Sequence, residues 1–195
     1  MYKKYFKRIL DIAVSALAIL FFPIIFLMVG IIIYFEDKGP IFYKGKRIGK
    51  DFKEFKMFKF RTMKVDAPDI RNNDGTTFNA ENDPRLTKIG KFLRKTSIDE
   101  IPQIINVLLG DMSLIGPRPS PLGNIDLYSE DYKRKFNVRP GITGYNQALL
   151  RNNANLTQII NNDLYYVENI SFLLDLKILY LTIINVVKAK NINKK

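Results

Sequence analysis

The sequence predicts a mainly helical α+β fold that is membrane-associated, and three observations carry the prediction. An uncharged run of 24 residues, IAVSALAILFFPIIFLMVGIIIYF, lies between Asp11 and Glu36. Strand-like alternation is confined to residues 40–63. Beyond residue 85, apolar residues recur at helical spacing in several separate stretches. At 195 residues the chain suits one domain, or one domain plus an appendage, and it divides into 1–36 and 37–195.

The uncharged run exceeds the ~20 apolar residues that a membrane-crossing helix needs. It is too long for a signal peptide, and no small-residue cleavage site follows it. Its flanks argue against a simple crossing. Lys3, Lys4, Lys7 and Arg8 precede it, and residues 38–64 carry ten Lys/Arg against two acids. Basic flanks favour the cytoplasmic side, so a single span would leave one of them outside. Pro23, near the middle, deletes a backbone hydrogen bond and bends a helix. A re-entrant helix that bends at Phe22-Pro23 and leaves on the side it entered satisfies all of this; one kinked span is the alternative.

Residues 40–63 predict a small β-hairpin turning at Gly49-Lys50-Asp51. Alternation in its second strand sets Phe58 and Phe60 on one face and Lys59 and Arg61 on the other, a pattern that also suits a solvated face. Residues 66–84 form a long polar loop with five acids and one Arg, of a length that is usually functional. Residues 85–95 predict a short basic helix with Leu86, Ile89, Phe92 and Leu93 inward, and residues 98–109 an apolar helix. Residues 110–123 are irregular, and Arg139-Pro-Gly-Ile-Thr-Gly144 is a second rigid turn. Near the C-terminus, polar positions 168, 171, 175, 182 and 185 trace one stripe down an otherwise apolar helix. That helix suits a membrane-proximal or interfacial position.

Composition limits the chemistry. The chain has neither His nor Cys, so the usual imidazole base, thiol nucleophile and zinc ligands are absent. A metal would need oxygen ligands, which points to Mg²⁺, with Mn²⁺ as the alternative. The net charge of +12 points to a polyanionic partner: nucleic acid, an anionic membrane or a phosphorylated substrate.

The densest chemistry lies in TSIDEIPQIINVLLGDMSLIGPRP, residues 96–119. Ser97-Ile-Asp-Glu100 fits a helix capping box, with Asp99 favoured by the helix dipole in the first turn. The context suggests more. Arg94 and Lys95 lie just upstream, and Arg118 is held between two prolines. Guanidinium forks pair with phosphate oxygens, and an Asp can form an acyl-phosphate. Acids and cations in this grouping suit phosphoryl transfer, with Asp111 as a further metal ligand or a turn residue.

FKFRTM (58–63), the run from Ser97 to Pro119, and RPGITG (139–144) resemble the bacterial sugar transferase family, the monotopic polyprenyl-phosphate phosphoglycosyl transferases. The likeness extends over nearly the whole chain and corresponds to the family's minimal catalytic core. It implies transfer of a sugar phosphate from a UDP-sugar to undecaprenyl phosphate, with release of UMP, at the cytoplasmic face of the bacterial inner membrane. It also implies Mg²⁺, membrane lipid as a partner, room for a homodimer, no nucleic acid, and a covalent intermediate on the Asp of the Asp-Glu pair. Carried onto this chain, Asp99 is the nucleophile and Glu100 assists it, both serving as metal ligands. Lys59, Arg94, Arg118, Arg139 and Arg151 match substrate phosphate-binding cations, and Arg139 with the RPGITG turn helps shape the nucleotide site. Two departures stand out. The family's usual Ser before the bend proline is Phe22, which cannot hydrogen-bond the broken backbone. The common G-L-A-Q-V-x-G-R reads Gly144-Tyr-Asn-Gln-Ala-Leu-Leu-Arg151, keeping Gln147 and Arg151. Two competitors are a glycosyltransferase that leaves UDP and a basic membrane module without catalysis. The first wants a D-x-D pattern that is not evident, and the second leaves the Asp-Glu and Pro-Arg-Pro context unexplained.

Overall fold

In the computed structural model, residues 1–70, 78, 83–151 and 153–188 are described, without the side chains of 124 and 127. Most of the loop expected at 66–84, and the lysines at 190, 194 and 195, lie outside them. The fold is mainly helical with two small sheets.

A π-helical turn, Tyr2–Phe6, leads into α1 (Lys7–Ile19), and α2 (Phe22–Asp37) follows at a bend of 59°. No single described helix is long and apolar enough to cross a membrane; the bent pair is so only when taken together. The break falls at Leu20-Phe21, just ahead of the expected Phe22-Pro23. Pro23 sits in the first turn of α2, where its missing N–H leaves no bond unmade. The bend needs no serine. Leu20 N–H donates to Leu17 O (3.3 Å) and Phe21 N–H to Ala18 O (3.1 Å), so tighter backbone bonds satisfy the break. Phe22 instead packs, its ring stacked between Phe26 and Phe60.

Helix α1 is amphipathic in the inverted sense. It buries Asp11 and Ser15 while Ile9, Ile12 and Leu17 stay exposed. Asp11 Oδ1 accepts from the Leu114 N–H (2.9 Å), and Arg8 donates to the carbonyls of Val107 (2.7 Å) and Leu108 (3.3 Å). The polar residues of a hydrophobic helix thus attach it to the body.

The hairpin pairs β1 (Phe42–Ile48) with β2 (Glu54–Phe60), antiparallel, Phe42 facing Phe60 and Ile48 facing Glu54. It turns through Lys50–Phe52, as the sequence predicts, with Asp51 and Phe52 at left-handed φ. Phe55 and Met57 pack on Val107 and Met112, whereas Phe42 and Phe60 stack against the α2 aromatics. Lys59 follows Phe55 and Met57 on the former face, so the period of two carries it to the edge of that core. Arg61 is not on a solvated face. It is buried past the strand end, forking onto Asp37 and donating to the carbonyls of Pro40 and Met63.

Helix α3 (Lys88–Thr96) starts at Thr87, whose Oγ1 accepts from the Gly90 N–H (2.9 Å). A Cβ at Gly90 would stand 1.9 Å from Thr62 O, so only glycine lets the helix approach this closely. That approach rotates the buried face toward Gly90 and Leu93. Phe92, expected inward, is consequently 53 % exposed.

Helix α4 (Gln103–Leu109) precedes β3 (Ser113–Ile115), which pairs in parallel with β4 (Gly141–Thr143). The two segments that looked like rigid turns are therefore short strands in one ladder. Gly116, Gly141 and Gly144 cross there, where any Cβ would stand 2.4 Å or less from backbone. Gly141 N–H donates to Pro117 O (3.0 Å) and Ile48 N–H to Ser120 O (2.9 Å), fixing both ends of Pro117-Arg118-Pro119.

After α5 (Glu130–Lys133) and α6 (Tyr145–Leu149), α7 (Leu156–Glu168) and α8 (Phe172–Val187) split the expected C-terminal helix at Ser171, which caps α8. The polar stripe of α8 faces inward. Asp175 is buried against Tyr2, Lys7 and Tyr166, Thr182 meets Thr143, and Asn185 donates to Ala148 O. Leu173, Leu176, Tyr180, Ile183 and Val187 point outward and are exposed.

Candidate active site

Asp99 and Glu100 do not open a regular helix. The chain leaves α3 through Ser97, whose φ of 60° turns it sharply, and makes one 3₁₀ turn, Ile98–Glu100, ahead of α4. The capping box is absent, because a capping serine needs extended rather than left-handed backbone. Ser97 makes no side-chain cap; its Oγ accepts from Arg151 Nη2 (2.8 Å). The single apolar helix expected over 98–109 is thus a turn followed by a shorter helix, with Pro102 as its N-cap.

The two acids have different surroundings. Glu100 Oε1 accepts from Lys59 Nζ (2.5 Å) and more loosely from Arg118 Nη2 (3.5 Å). Asp99 is 7 % exposed, and no hydrogen bond reaches its carboxylate from any described residue. Burial pushes Asp99 up to about 6, Lys59 opposing and the Glu100 charge adding to the rise. Burial acts on Glu100 as well, but Lys59 and Arg118 outweigh it and hold that acid down to about 2. One acid therefore titrates near neutrality beside one that stays ionised. Such divergence is typical of acids with chemical work to do.

The cations arrive from four separate elements. Lys59 is the penultimate residue of β2, Arg94 lies in the last turn of α3, Arg118 lies between its prolines, and Arg151 follows α6. Arg94 Nε donates to Thr62 Oγ1 (3.0 Å). Burial lowers both Arg94 and Arg151, and in each case the charges of nearby acids, Asp99 among them, pull back. Arg139 is not brought to this group. Its Nε donates to Gly110 O (2.8 Å) at the far end of α4, beside the bonds from Arg8. There it neutralises free helix carbonyls. Asp111 is at that same end, bonded to Asn106 Nδ2, and is no partner for Asp99. Phe22 and Pro23 belong to the bend; Phe22 reaches toward the site only through Phe60, next to Lys59.

Sequence reasoning missed two supporting residues. Asn106 is fully buried and bonds two backbone groups on one edge of β2, accepting from Phe58 N–H (2.9 Å) and donating to Lys56 O (2.8 Å). It fixes the register of Lys59 against the helix that follows the acids. Thr62 does the same for Arg94. The signal for Asn106 was present, an amide in the otherwise apolar run that follows Gln103 in α4. The loop at 66–84 is pinned at its described ends by Arg85, which forks onto Asp83 and donates to the carbonyls of Pro68, Ile70 and Phe78.

Among the described residues no group of three or more His, Cys, Asp or Glu could hold a metal ion alone. Two adjacent carboxylates still fit Mg²⁺, which commonly takes one or two carboxylates and completes its shell with water and substrate phosphates.

Acids of opposite protonation preference, ringed by cations from four elements, define a site for handling phosphate groups. The comparison with known families agrees: residues 2–189 match the model for bacterial sugar transferases, and the chain belongs to that family. Its relatives include the galactosyl transferase CpsE of Streptococcus agalactiae serotype III, 42 % identical over 91 % of this chain and 41 % of that protein. The UDP-glucose:undecaprenyl-phosphate glucose-1-phosphate transferase of Klebsiella pneumoniae is 39 % identical over 91 % of this chain and 39 % of its own length. The exopolysaccharide production protein PSS of Rhizobium leguminosarum bv. phaseoli is 39 % identical over 92 % of this chain and 94 % of its own. The chain thus spans about two fifths of the first two relatives and nearly all of the third.

Proposed function

We propose that this chain is a phosphoglycosyl transferase that moves a sugar-1-phosphate from a UDP-sugar to undecaprenyl phosphate and releases UMP, in bacterial glycan synthesis. The observation that carries the reading is Asp99: buried, without a hydrogen bond from a described residue, and pushed up to about 6 beside a clamped Glu100. A carboxylate that has left water without gaining donors is a stronger nucleophile than one solvated at the surface.

Asp99 attacks the sugar-bearing phosphorus of the donor. The new bond joins its carboxylate oxygen to that phosphorus, and the bond to the bridging oxygen breaks, so UMP departs with that oxygen. An oxygen of undecaprenyl phosphate then attacks the same phosphorus, and Asp99 is released as carboxylate. Lys59 and Arg118 hold Glu100 ionised, and Arg94, Arg118 and Arg151 neutralise the phosphates during both transfers. Asp99 and Glu100 would hold Mg²⁺ (or Mn²⁺), which would further neutralise charge on the donor diphosphate.

Residues 1–36 are the membrane segment in this reading and 37–195 the catalytic part at the cytoplasmic face. Support comes from polarity. Apart from Lys177, which is exposed, α1 and α8 turn their polar residues toward the protein and expose Leu, Ile, Val and Tyr, which suits a lipid interface rather than water. The test is a single turnover with donor alone. Protein incubated with a panel of sugar-labelled UDP-sugars should retain label, and Asp99→Asn should retain none. Label on Asp99→Asn, or near wild-type turnover by it, would remove Asp99 from this role.

A further inference from the structure

Gln147 has an unusual position. Among the described residues neither its Nε2 nor its Oε1 has a hydrogen-bond partner, although both atoms are buried, and the residue as a whole is half-buried. An unmatched buried amide is costly, because its polar groups have left water without gaining partners. The side chain folds back so that Oε1 lies 3.0 Å from where a Cβ on Gly144 would stand, beside Gly116. Gly116 immediately precedes Pro117-Arg118-Pro119. One turn further along the chain, Arg151 donates to Ser97 Oγ next to the acids. Gln147 therefore packs on a backbone wall formed by Gly116 and Gly144, beside the strand end that leads to Arg118 and four residues before Arg151, two cations that both act on Glu100.

We propose that Gln147 is a donor-recognition residue. Its carboxamide swings out of this wall to meet an adjacent donor–acceptor pair on the UDP-sugar, either sugar hydroxyls or the uracil edge. The inference rests on the function proposed above. A swing of this kind breaks no hydrogen bond to a described residue, because the amide makes none with them where it now lies. Bound substrate then supplies both missing partners at once. Site polar groups that gain partners only from the correct substrate are an effective means of discrimination.

The test uses the full chain in detergent or nanodiscs, with wild type, Gln147→Met and Gln147→Asn. If the proposal holds, Gln147→Met raises KM for the UDP-sugar roughly tenfold, the loss of about one to two neutral hydrogen bonds. KM for undecaprenyl phosphate stays constant and the melting temperature does not fall. Inhibition by UMP separates the two sources: weakened in parallel with KM, it assigns the uracil edge; unchanged, it assigns the sugar. An unchanged donor KM in both variants overturns the proposal. So does a loss of stability with donor KM unaltered, which marks the amide as an internal brace. Gln147→Asn, which keeps the carboxamide but shortens its reach, decides the matter if Gln147→Met does not fold. A wild type that turns over no UDP-sugar in the panel fails the proposed function itself and takes this inference with it.

Discussion

Replacing Asp99 with Asn should stabilise the folded protein while abolishing transfer. The folded-state pKa of Asp99 is raised from the usual carboxylate value to about 6 by burial. A raised pKa means that the folded state binds the proton more tightly than the unfolded chain does. Its stabilising contribution is present below about pH 4 and lost as pH rises through about 6. A gap of about two units corresponds to about 3 kcal/mol, which wild type forgoes at pH 8 by holding a bare carboxylate in this position. Asn has nearly the same shape and no charge, so the variant avoids that loss. For a chain of this size, 1 kcal/mol shifts the melting temperature by about 2–4 °C, so Asp99→Asn should melt about 6–12 °C higher at pH 8. The difference should shrink toward zero near pH 4. The assay is thermal unfolding of both proteins in one detergent across pH 4–8. A variant no more stable than wild type at pH 8, or a difference independent of pH, would refute the argument that burial strains this acid.

Other consequences are open to the same treatment. With Asp99 acting as a carboxylate, kcat/KM should rise with pH through about 6 and then level off; a flat profile from pH 5 to 8 contradicts the assignment. Asn106→Leu leaves the Phe58 N–H and Lys56 carbonyl without their partner, which should lower stability by about 2–4 kcal/mol in denaturant unfolding. Turnover should fall with it as Lys59 loses its register, and an unaltered midpoint would show that Asn106 is dispensable. The chain has no cysteine, so single-Cys variants label without background. In lipid nanodiscs, Ile183→Cys should resist a water-soluble maleimide that labels Glu130→Cys at once; equal rates would place the outer face of α8 in water.

Much of this architecture was legible because periodicity survives packing. The uncharged run, the hairpin and its turn, and the helical C-terminal region all follow from spacing and turn residues. The acid pair was visible from composition, since with neither His nor Cys few groups remained to do chemistry. What the sequence concealed depends on tertiary contact. Ser97 reads as a cap, yet a left-handed turn hands its hydroxyl to Arg151 from 54 positions away. Two three-residue strands were too short for any alternation to show, and their pairing rests on glycines that permit backbone contact. Arg139 sits in a motif beside the other basic residues, but only the fold sends it to the opposite end of α4. The polar stripe of α8 was readable as a stripe. Its inward direction was not, because spacing gives a face and says nothing about which side is wet.

Identification of the released nucleotide tests the central claim most directly. The purified protein, supplied with Mg²⁺, undecaprenyl phosphate and a panel of UDP-sugars, should produce UMP in step with lipid-linked product. UMP shows that the bond between the two phosphates broke, as attack by Asp99 on the sugar-bearing phosphorus requires. UDP would show that the bond to the sugar broke instead, and Asp99 and Glu100 would then not have the roles of nucleophile and assisting acid.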